Sequence, residues 1–121
     1  MAENRRDLTE RAFAFAVQVV SLCRLLNEKP GVARTLANQL LHSGTSIGAN
    51  VEEGQSSQSE ADFIAKYSIT CKEARETHYW LRLLVASEIV VEEQLSGLMN
   101  ECNELISILT TIVKKVKAKK V

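Results

Sequence analysis

The sequence predicts an all-α fold, an antiparallel up-down-up-down four-helix bundle. Aromatic residues make up only 5% of the 121 residues and there is one proline, whereas β-strands are enriched in aromatic and β-branched side chains. Four stretches carry apolar residues at three- and four-residue steps, the spacing that places them on one side of a helix. The connections between these stretches are short, so consecutive helices should pack antiparallel. We expect a single domain that spans residues 1–121.

The helices are predicted over about residues 7–28, 32–54, 60–87 and 91–117. The first helix must end before Pro30, because proline cannot continue a helix. Gly54 stands where a left-handed residue would cap the second helix. Ser59, with Asp62 three positions later, resembles a capping box at the start of the third helix.

Charge is distributed unevenly along a chain whose formal net charge is zero. Residues 51–104 hold eleven acidic and four basic side chains, while residues 114–121 hold five lysines and no acid. A terminal lysine cluster can contact phosphates, and it also suits the negative end of a solvated helix. The candidate nucleic-acid contacts are Arg5, Arg6, Arg11, Lys114, Lys115, Lys117, Lys119 and Lys120.

Two glycines, Gly44 and Gly48, lie four residues apart and therefore on one face of the predicted second helix. A phosphate-binding loop would need a following Lys and Ser/Thr and a preceding strand, and neither condition is met. Missing side chains instead allow a neighbouring helix to approach closely, at a helix-propensity cost of about 1 kcal/mol each. We expect close helix packing at these glycines.

A row of polar residues runs beside the glycines at heptad-like spacing. Its members are mostly small or amide side chains, unlike the lysine, arginine and glutamate of an ordinary solvated face. Two glutamates continue this pattern on the third helix. We call these residues the polar seam: Gln39, Ser43, Ser46, Asn50, Glu53, Glu73 and Glu76. Either a hydrogen-bond network buried within the bundle or a contact with another chain would explain the polar seam.

Paired glutamates in a helical bundle also raise the question of a metal-dependent enzyme. A di-iron site needs Glu-x-x-His motifs on two helices, but His78 follows Glu76 by two residues and Glu73 by five. We expect His42 and His78 to be ordinary surface or core-edge histidines. No nucleophile motif is present either. The sequence thus predicts no enzyme, no cofactor and no metal, with a metal-dependent enzyme using Glu73 and Glu76 as the least favoured alternative.

The three cysteines, Cys23, Cys71 and Cys102, are far apart and odd in number, which predicts reduced core thiols rather than disulfides or a zinc site. The first residues lack the apolar segment of a secretory leader. No stretch approaches the roughly 20 apolar residues that span a bilayer. We expect a cytoplasmic protein without membrane contact.

The segment SIGANVEEGQSSQSEADFIAKYSITCKEARETHYWL resembles the core motif of a known family, the four helix bundle proteins or 23S rRNA intervening-sequence proteins. That motif reads approximately S-I-x-x-N-I-A-E-G, then a polar turn, S-x-x-D-F, an apolar helix, and paired glutamates before a leucine. The matching positions are Ser46, Ile47, Asn50, Val51, Glu53, Gly54, Ser59, Asp62, Phe63, Glu73, Glu76 and Leu81. The last helix is similar too, so the resemblance spans nearly the whole chain.

The resemblance implies small cytoplasmic bundles that assemble as ring-like homopentamers. The family is named after reading frames inside insertions of bacterial rRNA genes. A related branch, the accessory variability determinant of diversity-generating retroelements, is a nucleic-acid-binding partner of a reverse transcriptase. By resemblance we therefore expect a non-enzymatic oligomeric bundle associated with rRNA or a ribonucleoprotein. A protein-interaction scaffold without direct RNA binding is the alternative.

Overall fold

The structure, a computed structural model, describes the backbone of residues 2–119 and the side chains of residues 7–119. It contains the helices α1 Ala2–Leu26, α2 Val32–Gln55, α3 Glu60–Ala86 and α4 Glu92–Ala118. The predicted all-α four-helix fold is confirmed, and the described backbone contains no strand. α1 begins five residues earlier than predicted. The prediction missed these residues because the polar run before residue 8 has no apolar periodicity. The other boundaries agree within two residues.

The helices form a closed ring of neighbours. Each helix packs against the next, and α1 also contacts α4. Among the described residues the diagonal pairs, α1 with α3 and α2 with α4, make no close backbone contact, as an up-down-up-down bundle requires. The contact between α1 and α4 is the least extensive. An open groove of about 720 Å³ runs between these two helices, lined by apolar side chains that include Val17, Leu25 and Leu98.

The core consists mainly of aliphatic side chains from all four helices. Leu8, Leu40, Ile47, Leu81 and Leu105 are among those that are fully buried. Each such side chain contributes roughly 1.5–3 kcal/mol relative to an exposed one. Because every helix supplies part of this core, the bundle depends on all four helices being present.

The cysteines are buried and unpaired, as predicted. The thiol of Cys23 donates to the carbonyl of Ala37 and that of Cys102 to the carbonyl of Ala74, both at 3.3 Å. These bonds link α1 to α2 and α4 to α3. Burial raises the pKa of Cys23 to about 11 and that of Cys102 to about 12, and it also raises the pKa of Cys71. The thiolate forms are therefore scarce at neutral pH, and these cysteines are poor nucleophiles.

Two helical glycines allow α1 and α2 to pack closely. A Cβ atom on Gly44 would lie 2.9 Å from Cγ1 of Val19, and one on Gly48 would lie 3.4 Å from the backbone oxygen of Ala12. The predicted close packing is confirmed. Because α2 continues through both positions, they do not form a phosphate-binding loop.

The prediction that Gly54 caps α2 in a left-handed conformation is wrong. α2 continues to Gln55, and Ser56 is the capping residue with φ −101°. In the described backbone only Gly31 and Glu88 have positive φ. Glycine is needed at position 54 for a different reason, since a Cβ there would lie 2.8 Å from Cδ1 of the buried Tyr67 ring. Position 54 therefore has no room for a side chain, because the ring of Tyr67 from α3 occupies that space.

Ser59 caps the start of α3, as predicted. Its hydroxyl oxygen accepts a hydrogen bond from the backbone N–H of Asp62 at 3.1 Å. The carboxylate of Asp62 accepts from the N–H of Gln58 at 3.3 Å, one residue before the position that a standard capping box uses. Two acidic residues in the first turn, Glu60 and Asp62, also suit the positive end of the helix dipole.

α3 ends in a Schellman motif. The N–H of Ile89 bonds to the carbonyl of Leu84, and the N–H of Glu88 bonds to the carbonyl of Val85, both at 3.0 Å. This pattern requires a left-handed residue after the cap, and Glu88 takes that conformation with φ 63°. A residue with a Cβ atom is less stable there than glycine by roughly 1 kcal/mol or more.

Replacing Glu88 with glycine is therefore expected to raise the free energy of unfolding by about 0.5–1 kcal/mol. Glycine adopts the left-handed conformation without steric cost, and its larger loss of backbone entropy on folding offsets part of that gain. Urea denaturation followed by circular dichroism measures the change. The matched control is Ser87→Gly, since Ser87 has φ −89° and its hydroxyl donates to the carbonyl of Leu83 at 2.6 Å. That control should lose stability. A Glu88→Gly protein no more stable than the parent would contradict a strained left-handed conformation at Glu88.

Candidate functional site

The first candidate surface is a cluster of lysines at the end of α4, which we call the basic edge. Its members are Lys114, Lys115, Lys117 and Lys119. All four are exposed, and none forms an ion pair with another described side chain. The beginning of α1 lies at the same end of the bundle, because α1 and α4 are antiparallel neighbours. The side chains of Arg5 and Arg6, and all of Lys120, lie outside the described part of the chain.

Arg11 is engaged within the bundle. Its guanidinium donates to both carboxylate oxygens of Glu101, at 2.9 and 2.7 Å, and to Glu104 at 2.9 Å. These hydrogen bonds, those to Glu101 first, raise the pKa of Arg11. The ion pair joins α1 to α4, the neighbouring helices whose contact is the least extensive. Contact between Arg11 and a phosphate stays a prediction, and it would have to compete with this bidentate pair.

The same end of the bundle also carries an acidic edge, on α2 and α3. Glu52, Glu53 and Glu60 are exposed there, and Asp62 lies 3.8 Å from the ammonium of Lys66. At this end of the bundle the lysines of α4 and most acidic side chains of α2 and α3 thus lie on different helices. The formal net charge of zero is a sum over the whole chain, so it does not show this local difference.

The polar seam of α2 contacts α3 at Ser43. The hydroxyl oxygens of Ser43 and Thr77 are 3.0 Å apart, and both side chains are buried. Thr77 also donates to the carbonyl of Glu73 at 2.7 Å. Sequence reasoning missed Thr77 because it stands in the apolar row of α3. One sign of it was available in the sequence: Thr77 follows Thr70, a second buried threonine of α3, by seven residues, so the two lie on the same helix face.

The other seam residues on α2 are bonded within their own helix or exposed. Ser46 donates to the carbonyl of His42 at 2.6 Å, and the amide of Asn50 donates to the carbonyl of Ser46 at 2.9 Å. Gln39 and Glu53 are exposed. The structure therefore forms a buried side-chain bond across the polar seam at Ser43, and it leaves several seam residues facing outward.

The two seam glutamates have different surroundings. Glu76 accepts a hydrogen bond from the indole N–H of Trp80 at 3.3 Å. In contrast, Oε2 of Glu73 is buried and has no hydrogen-bond partner among the described residues. An unsatisfied buried oxygen costs about 1–3 kcal/mol. Glu73 lies on the α2 side of α3, one turn before Thr77, so this oxygen is the least satisfied group of the polar seam.

Comparison with known proteins identifies the family of this chain. The model of the family described as 23S rRNA-intervening sequence protein matches residues 5–111. The chain belongs to that family. A solved family relative, a protein of unknown function from the S23 ribosomal protein family of Bacteroides thetaiotaomicron VPI-5482, is 40% identical with a TM-score of 0.85. The match covers 92% of this chain and 98% of the relative. Among curated proteins there is no match.

In this member of the 23S rRNA-intervening sequence protein family, the described side chains offer no cluster of three or more residues that could hold a metal ion. His42 is exposed and His78 is half-buried, as expected. Burial lowers the pKa of His78, and the nearby positive charge of Arg82 lowers it further. His78 is thus predominantly neutral at pH 7. Within the described helices, no stretch has the length and apolar character needed to cross a bilayer.

Proposed function

We propose that this protein is a non-enzymatic oligomeric bundle that contacts rRNA or a ribonucleoprotein through its basic edge. The observation that carries the proposal is the cluster of exposed lysines on the last turns of α4, which lack acidic partners within the described structure. Unpaired surface cations are the groups that release counterions when they bind a phosphate backbone. The name of the family also refers to rRNA.

Self-assembly belongs to the same proposal. By the family resemblance we propose a homopentamer, which in a ring would gather the basic edges of five copies on one face. With five lysines per tail such a face would hold about 25 positive charges, and binding to several phosphates at once would gain from effective concentration. We place this function in the cytoplasm, where rRNA is found.

The experiment is a titration of a fluorescently labelled 23S rRNA fragment with the full-length protein at several salt concentrations, followed by anisotropy. The test variant replaces the lysines of residues 114–120 with glutamine. Substitution is preferred to truncation because Val116, in the same segment, and Val113, just before it, are buried. Each lost phosphate contact should reduce the slope of log affinity against log salt by about 0.9, and five contacts by about 4.5.

The matched control replaces Lys29, Arg34 and Arg82, which are exposed at the opposite end of the bundle from the basic edge, with glutamine. Its affinity should stay within about twofold of the parent, because those side chains are remote from the proposed contact. Equal binding by the parent and the tail variant would exclude the basic edge as the RNA contact. Absence of binding by the parent at low salt would exclude direct RNA binding altogether.

A protein-interaction scaffold without direct RNA contact is the second candidate. The observation that favours it is the number of large apolar side chains that remain exposed, including Phe13, Val17, Ile69 and Tyr79. Contiguous exposed apolar surface marks protein contacts, and Phe13 and Val17 lie one turn apart on α1. Purification from the native cell with identification of bound rRNA or protein would separate the two candidates.

A further inference from the structure

Positively charged side chains of α3 and α4 come together near Cys71, a buried residue of α3. Burial raises the pKa of its thiol, whereas the hydroxyl of Thr110 on α4 and the positive charges of Arg75 and Lys117 lower that pKa. Charges shift a pKa in this way when they lie close to the titrating group. A guanidinium of α3 and an ammonium of α4 therefore converge at the boundary between the two helices.

Two further exposed cations flank this point. Lys72 comes directly after Cys71, and Lys114 lies one turn before Lys117. We call the four cations the basic face: Lys72, Arg75, Lys114 and Lys117. None of them forms an ion pair with another described side chain. Two of the four belong to the basic edge, so the basic face extends that surface from α4 onto α3.

Acidic side chains do not neutralise the basic face. The described part of α4 has no acidic residue after Glu104, which itself accepts a hydrogen bond from Arg11 of α1. On α3, Glu73 and Glu76 are close in sequence to the basic face, but neither forms an ion pair with a described cation. The acidic first turn of α3 lies about 18 Å along the helix from Lys72. A cluster of positive charge without nearby acids attracts polyanions.

We propose that RNA lies along the boundary between α3 and α4, with its backbone phosphates bound by the basic face. The inference rests on the proposed RNA-binding function, and it adds Lys72 and Arg75 to the contact. The guanidinium of Arg75 can donate to two oxygens of one phosphate, whereas the three lysines act as point charges. Contacts of this kind are made to the backbone, so binding should depend little on RNA sequence.

The test is the anisotropy titration of a labelled 23S rRNA fragment over a series of salt concentrations. Lys72→Gln with Arg75→Gln removes two phosphate contacts, and it should reduce the slope of log affinity against log salt by about 1.8. The matched control, Lys29→Gln with Arg34→Gln, removes two exposed cations at the opposite end of the bundle and should leave the slope unchanged. Circular dichroism shows whether each variant is folded.

Two further measurements separate a bound RNA backbone from a general effect of charge. Lys72→Arg with Arg75→Lys keeps both charges and should retain the slope of the parent. Replacement of chloride by inorganic phosphate at equal ionic strength should change the RNA affinity by less than about twofold, because the cations are spread along a backbone. A larger loss in phosphate would make the basic face a site for the free anion and would overturn the proposal.

Photocrosslinking locates the RNA directly. A photoreactive group is attached to Ser107→Cys, an exposed position of α4 seven residues before Lys114 and therefore on the same face. The control position is Ala14→Cys, which is exposed in the groove between α1 and α4. The native cysteines are buried and should react little with the reagent. RNA should crosslink at least about fivefold more at position 107 than at position 14.

The outcomes distinguish this inference from the proposed function on which it rests. If Lys72→Gln with Arg75→Gln keeps the slope of the parent while the tail variant loses affinity, the basic face is excluded and the basic edge stands. Equal crosslinking at positions 107 and 14, or an equal fall in slope for the control pair, also overturns the basic face. A parent that binds no RNA at low salt excludes the proposed function, and the inference with it.

Discussion

Replacing Gly54 with alanine is expected to lower the free energy of unfolding by about 3 kcal/mol, an unusually large effect for one added methyl group. The new Cβ would lie 2.8 Å from Cδ1 of Tyr67. This ring cannot move aside easily, because Tyr67 is fully buried and stacks on Phe63 with ring centroids 4.1 Å apart. Its hydroxyl also accepts a hydrogen bond from Gln55 at 2.8 Å. Thermal and urea denaturation of the variant would measure the loss.

Two further variants make this result specific to the contact between Gly54 and Tyr67. Gly97→Ala is the matched control, because Gly97 is an exposed helical glycine and a Cβ added there would have no neighbouring atom within 4 Å. It should stabilise the protein by up to about 1 kcal/mol through helix propensity. In a Tyr67→Leu background Gly54→Ala should cost at least about 1 kcal/mol less than in the parent. An unchanged cost in that background would show that the ring is not the obstacle.

Gly54 also shows where sequence reasoning about this fold reaches its limit. Apolar periodicity, short connections and the capping residue Ser59 predicted four helices with boundaries that mostly agree within two residues. The same local rules favoured a left-handed cap at Gly54, because glycine near the end of a helix usually has that role. The actual requirement comes from Tyr67, thirteen residues later and on another helix. A constraint set by a tertiary contact leaves no local trace that distinguishes it from a cap.

The polar seam was predictable as a row but not as a set of bonds. Heptad spacing placed Ser43 and Glu73 on facing helices, and the structure does bring this part of α2 and α3 together. Spacing could not show that Ser43 meets Thr77, because hydroxyl pairing depends on the axial register of two helices. Nor could it show that Arg11 is held by Glu101, ninety residues away. Partners of charged side chains are fixed by packing, which a single sequence does not display.

Replacing Glu73 with methionine is expected to raise the free energy of unfolding by about 1–2 kcal/mol. Oε2 of Glu73 is buried without a hydrogen-bond partner among the described residues, so removing it relieves a desolvation cost. Methionine has a similar length and a comparable helix propensity, so the helix itself should be unaffected. Urea denaturation at pH 7 gives the change directly. The matched control is Glu53→Met, an exposed member of the polar seam, which should stay within about 0.5 kcal/mol of the parent.

The sign of this change distinguishes two reasons for a glutamate at position 73. A gain in stability means that the folded bundle does not need the carboxylate, as is common for residues that serve binding at a cost to the fold. An outside contact for the polar seam would then be the next hypothesis, and Glu73→Met should weaken self-assembly or partner binding while stabilising the monomer. A loss of more than about 1 kcal/mol would instead mean that the carboxylate is satisfied inside the bundle, for example by ordered water. The polar seam would in that case be a structural network at Glu73 as it is at Ser43 and Thr77.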